Sequence, residues 1–190
     1  MLITKESSLE EVWQVAWDYL RRAAVDKGHP MRYLTLATSG PPDIGLRMVV
    51  LREIQQDLSL LMYTDARSAK VRQIRENSLT SILAYHPKHK VQIRLQGESL
   101  LHQRDVLAQA AWQRVQGPPQ KAYNSLLPPG EEVSTPSEAH RWPEEMDEGH
   151  FCLIQFRPLE LEVLQLNGLA HIRALFTISA NERKGKWIVP

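Results

Sequence analysis

The sequence predicts an α+β protein built mainly of β-strands, an antiparallel β-barrel with flanking helices. Three observations predict it. From Met31 onward the apolar period is two, in short segments rich in β-formers and bounded by turn residues. One helix-like stretch interrupts the closely spaced strands, whereas a parallel βαβ sheet needs a helix at every crossover. The chain has 190 residues, 43% apolar and 24% charged, which suits a single domain over 1–190 able to bury a core without staples.

The elements follow in order. Ser8-Leu9-Glu10-Glu11 fits a capping box, and Leu9, Val12, Trp13, Ala16, Trp17 and Leu20 recur at helical spacing, so a helix occupies most of 1–28 until Gly28-His29-Pro30 stops it. Strands are expected at Arg32–Thr38, Gly45–Arg52, Leu58–Tyr63, Leu79–Tyr85 and Lys90–Leu101, with turns at Gly40-Pro41-Pro42-Asp43 and Gln55-Gln56-Asp57. The stretch from Thr64 to Asn77 reads as a short helix capped by Thr64 or Asp65, and Arg104–Val115 as another. Residues 116–150 hold six of the 12 prolines, and Glu131–Gly149 carries seven acids against Arg141, which predicts an irregular acidic loop or lid. Strands return at Phe151–Phe156, Leu159–Leu166 and His171–Ile178, with one more near Lys186–Val189.

Composition narrows the function. A net charge of +1 gives no field for nucleic acid or acidic membranes. No apolar run approaches ~18 residues and the first residues lack a signal peptide's hydrophobic stretch, so a soluble, cytoplasmic protein is expected. Cys152, the sole cysteine, follows Phe151 in an apolar strand and reads as a buried inert thiol. His86 and His89 flank Pro87 in a turn without neighbouring acids, so no metal site is expected. Dinucleotide, P-loop, serine-hydrolase and zinc-protease motifs are absent.

What remains is local. Between Tyr63 and Arg94 seven cations face two acids. Within that stretch, Thr64–Lys70 has the chemistry of an anion site: a strand runs into a helix N-terminus with free amides, Ser68 adds a hydroxyl, and Arg67 and Lys70 lie three apart on one face. The plain alternative is a pair of solvated helix cations. Farther on, Gln92, Arg94 and Gln96 alternate with Val91, Ile93 and Leu95. That polar stripe is either exposed to solvent or suited to a ligand with carbonyls and ring nitrogens.

The order LRMVVLR, LLMYTDARSAK, SILAYHP, KVQIRLQGE resembles the pyridoxamine 5′-phosphate oxidase-like family of FMN-binding split barrels, from about Met31 to Leu101 and again from Phe151 to the C-terminus. The resemblance implies a six-stranded antiparallel split β-barrel in a homodimer, one FMN at each end of the subunit interface. By similarity Arg47 reaches the polar groups of the flavin and the Met48-Val49-Val50 backbone lines its ring. Tyr63, Thr64, Arg67, Ser68 and Lys70 hold the phosphate, Gln92 hydrogen-bonds the ring, and Arg173 lies near it. Arg52 stands where the oxidases carry a lysine that touches the substrate phosphate, and His171 is the residue placed at the substrate as binder or acid–base group.

The family's Trp against the flavin is Leu164 here. Its late R-x-H-D-R motif becomes Leu169-Ala170-His171-Ile172-Arg173, keeping the histidine and the last arginine, and Ala69 replaces an arginine of the phosphate turn. These departures set the chain apart from the vitamin B6 enzymes at the substrate, less so at the cofactor. Two readings follow. One is an FMN-dependent oxidoreductase moving hydride from a small substrate to flavin N5. The other is a module that binds FMN, or another phosphorylated ring compound, without turnover.

Overall fold

Helix α1 (Leu9–Val25) starts as its sequence requires: the Ser8 hydroxyl accepts from the Glu11 amide (3.2 Å) and the Glu11 carboxylate accepts from the Ser8 amide (2.7 Å). Its apolar stripe of Val12, Trp13, Ala16, Trp17 and Leu20 is buried, and Trp13 meets the Phe176 ring at 5.3 Å. The structure is a computed structural model describing residues 3–40, 43–179 and 182–190.

Period-two patterning gives eight strands: β1 (Tyr33–Gly40), β2 (Asp43–Ile54), β3 (Leu60–Asp65), β4 (Leu79–His86), β5 (Val91–His102), β6 (Phe151–Gln165), β7 (Ile172–Ile178) and β8 (Arg183–Ile188). They hydrogen-bond in the order β3-β2-β1-β4-β5-β6-β7-β8, every pair antiparallel. β3 also pairs with β6, so β1–β6 close into the expected six-stranded barrel and β7–β8 extend from its wall. Leu34, Leu36, Leu51, Met62, Ile82, Ile93, Leu95, Ile154 and Phe156 fill the interior. Helix α2 (Ala69–Glu76) packs on β1 and β5, and α3 (Val106–Trp112) packs on β6.

Three details depart from the sequence expectation. The segments Phe151–Phe156 and Leu159–Leu166 form one strand, β6, because Pro158 stands opposite Gly97 at a bulge, where its missing N–H disturbs the ladder least. The N-cap of α2 is Ser68, not Thr64 or Asp65, and its hydroxyl makes no capping bond. The 116–150 segment is not simply solvated. It carries 3-10 turns at Pro118–Tyr123 and Pro136–Ala139, buries Tyr123 and Asn124, and is held by Asn124 bonding the backbone of Gln120 and Asp147. Pro41 and Pro42 of the expected first turn lie outside the described residues, although Gly40 and Asp43 on either side pair in register.

Candidate functional site

The basic corner forms where β3 ends and α2 begins. Thr64 and Ser68 are both buried, and the Lys70 ammonium donates to their hydroxyls at 3.0 and 3.2 Å. The Ser68 hydroxyl in turn donates to the Asp65 carbonyl at 2.7 Å. The first-turn amides of Ala69 and Lys70 have no acceptor within the helix and face outward as donors. Arg47 enters from β2, its guanidinium on the Thr38 hydroxyl, the Gly45 carbonyl (3.0 Å) and Gln73 Oε1 (3.1 Å). Burial lowers the pKa of both cations, and the Arg47 charge lowers that of Lys70 further.

Neither cation forms an ion pair among the described residues. The nearby acid, Asp65, is taken: its two oxygens accept from Arg67 at 3.1 and 2.7 Å. Two partly desolvated cations near one another, with buried hydroxyls and free amides, are the donor set that an anion such as a phosphate requires. Gly45 lets the Arg47 side chain lie close against the backbone. A Cβ on Gly45 would lie 1.9 Å from the Arg47 guanidinium, so any larger residue there displaces the cation.

Arg67 is placed differently from Lys70. It is bound to Asp65 and donates to the Ser125 carbonyl (2.8 Å), tying the 116–150 segment to this corner. Tyr63 turns its ring edge-on to Phe151 at 5.1 Å, in a cluster with Trp112 and Tyr123. Arg52 lies over the Tyr63 ring at 5.3 Å, its buried Nε without a partner, beside the Tyr123 phenol. Burial raises the pKa of both tyrosines, and Arg52 opposes the rise at each. Tyr123 was missed from sequence. It is an aromatic inside a proline-rich acidic stretch, which is the one signal that could have marked it.

A second group lies on the outer face of the wall. Gln92 of β5 pairs with Leu164 of β6, and Leu164 with Arg173 of β7, so the three form one row across the sheet. One row along, Arg94 and Glu162 pair in register, and the Glu162 carboxylate accepts from Arg94 (2.5 Å) and Arg173 (2.9 Å). Met48 is exposed and Val50 half-buried on this side, while Val49 points into the barrel. His171 is exposed just before β7, its Nδ1 accepting from the Asn167 amide (3.0 Å). It borders a cleft of about 290 Å³ with Lys5, Arg173 and Trp187.

The basic corner and this row are separate on one chain. Arg47 pairs with Leu36, Leu36 with Ile82 and Ile82 with Leu95, three strands over. Gln92 is three residues farther along β5, so Arg47 and Gln92 stand on opposite strands of the closed six-stranded barrel. Cys152 is buried, its thiol pushed up to about 11, so it is no nucleophile. No helix among the described residues is long and apolar enough to cross a membrane.

Comparisons with known proteins bear on this geometry. Residues 13–103 match the family model of the pyridoxamine 5′-phosphate oxidase, FMN-binding domain. No curated protein matches the sequence. A pyridoxamine 5′-phosphate oxidase-related, FMN binding protein from Nostoc punctiforme is 25% identical over the full length of both chains, with a TM-score of 0.77. PhzG from Burkholderia lata, solved with tetrahydrophenazine-1-carboxylic acid, is 17% identical over 100% of this chain and 99% of its own, TM-score 0.76. A Clostridium acetobutylicum protein related to general stress protein 26 is 10% identical over 88% and 95%, TM-score 0.55. The last two share the fold.

Proposed function

We propose that this chain, a pyridoxamine 5′-phosphate oxidase-like split barrel whose residues 13–103 match the FMN-binding domain, works as an FMN-dependent oxidoreductase on a small molecule. The cofactor is FMN. The observation that carries the reading is the basic corner: Lys70 and Arg47, without carboxylate partners, beside the Thr64 and Ser68 hydroxyls at the head of α2. There Lys70, Thr64, Ser68 and the α2 amides take the phosphate, and Arg47 sets its charge against the cofactor's polar groups. Arg67 supports the corner through Asp65. The ring lies against the Met48–Val50 strand, with Gln92 and Arg173 supplied from the outer face.

Bound FMN supplies the redox chemistry, accepting hydride from the substrate. The chain orients and neutralises. Arg52, with an unpartnered Nε beside Tyr63 and Tyr123, offers a charged donor to an acidic group of the substrate. His171 and Lys5 border the cleft near Arg173, where His171 binds substrate or exchanges a proton.

A homodimer completes the site, because Arg47 on β2 and Gln92 on β5 stand on opposite strands of one barrel. The accessible surface, 11017 Å², exceeds the ~9,000 Å² expected of a monomer this size. Tyr33, Ile44, Leu46, Met48, Leu83 and Tyr85 leave apolar surface on the outer face. A cytoplasmic location goes with this reading.

The test is direct. Purified protein takes up added FMN with quenching of its fluorescence, and anaerobic mixing with NADH, NADPH or pyridoxine phosphates bleaches the yellow band. Failure of FMN uptake overturns the reading. Uptake without bleaching by any donor favours the second reading, a binding module, for which Leu169 and Ile172 in place of the late motif's first Arg and Asp already speak.

A further inference from the structure

Glu162 is an anomaly of the barrel's outer face. Its outward neighbours along β6, Glu160 and Leu164, are half-buried, yet this carboxylate is 4% exposed. A buried charge survives only where partners compensate it. Here two do: Arg94 from β5 and Arg173 from β7 close over it from both sides, each giving an Nη2 hydrogen to the same oxygen. Three strands thus contribute one residue each to a cluster carrying two positive charges and one negative. The Nε atoms of both arginines are buried without a partner, so among the described residues Glu162 is the one acidic group that fixes either guanidinium.

Its position gives the cluster a purpose. Arg173 stands in the same row as Gln92, with Leu164 between them. The guanidinium is a rigid fork, so one anchored Nη2 sets the direction of the remaining donors.

We propose that Glu162 is a positioning residue for the flavin site: it holds Arg173 beside Gln92 and, by cancelling one of the two arginine charges, sets how strongly the site favours reduced flavin. The inference rests on the FMN reading above. It is electrostatic in origin, since reduction of a flavin adds negative charge and cations nearby stabilise the reduced form.

The experiment measures the midpoint potential of bound FMN in wild type, Glu162→Gln, Glu162→Asp and Arg94→Gln. Glu162→Gln leaves two uncompensated cations and shifts the equilibrium toward reduced flavin by about tenfold, about 30 mV for two electrons. Arg94→Gln removes a cation and shifts it the other way. Glu162→Asp keeps the charge and stays near wild type. Opposite signs for the two glutamine variants are what a merely structural role does not produce. If Glu162→Gln fails to fold, Arg94→Gln, whose side chain is 40% exposed, decides alone. Bound FMN whose potential stays within threefold of wild type in the folded variants overturns the inference and leaves the FMN reading standing. Wild-type protein that takes up no FMN overturns both.

Discussion

Lys70 and Arg67 stand three positions apart and carry the same charge, yet the structure gives them different work. Asp65, two residues before Arg67, captures its guanidinium through both oxygens, while Lys70 reaches back only to hydroxyls. Lys70→Ala therefore removes a charge-assisted contact with phosphate worth roughly 1.5–3 kcal/mol, about tenfold or more in FMN affinity. Arg67→Ala costs less, acting through the corner's shape. Riboflavin, lacking phosphate, binds both variants as it binds wild type. Titration with FMN and riboflavin checks this, and equal losses for the two ligands contradict it. The gathering of cations at this turn was legible, and first-turn cations oppose the helix dipole and call for a counter-charge. The division of labour was not. It depends on which cation the Asp65 side chain reaches, and both lie within range of it in sequence.

Among elements, the strands were legible to within three residues at their ends, most closely where β4 and β5 alternate one buried and one outward face, a pattern written in residue type. The 116–150 segment was not, because Asn124 and Arg67 hold it through backbone groups that carry no sequence signature. The joint between α1 and the β4–β5 turn was equally hidden. His86 and His89 stack at 4.1 Å, His29 lies 5.4 Å from His86, and the Tyr19 hydroxyl meets His89 Nδ1 at 2.6 Å. The Nδ1 atoms of His29 and His86 accept backbone N–H bonds, a role for neutral rings.

Burial holds both histidines below the ordinary value of 6.5, helped by Arg22 at His29 and by His89, His29 and Lys88 at His86, with Asp26 opposing at His29. The unfolded chain binds these protons more readily, so their stabilisation is complete above 6.5 and lost as pH falls below it. Thermal unfolding followed from about pH 8 to about pH 5 shows a falling Tm, and His86→Gln flattens the dependence. A drop unchanged in the variant assigns acid lability elsewhere.

The whole molecule keeps several large apolar side chains exposed on one outer face. Ile44, Leu46 and Met48 alternate along the outer side of β2, at 78%, 68% and 60% exposure, and Leu83 and Tyr85 continue the face on β4. A standard interface covers about 800 Å² per partner, and this sheet face is the surface suited to it. Leu46→Glu with Met48→Glu leaves the interior untouched, so the double variant folds, sediments as a monomer and loses FMN along with its partner. A monomer retaining tight FMN contradicts a shared site. Sequence alone marked these residues only as β-formers, since an outward leucine and an inward one look alike until register is known.

β6 has a consequence for how the protein is made. Its 15 residues lie late in the chain, and both β3 and β5 wait for it as a neighbour. A nascent polypeptide on the ribosome can pair β1, β2, β3, β4 and β5 but leaves two raw sheet margins until residues 151–165 emerge, an interval of seconds at ordinary translation speed. During that interval the half-made wall offers strand edges that invite aggregation. Synthesis, rather than heat, is then the moment at which this chain is most exposed to misassembly.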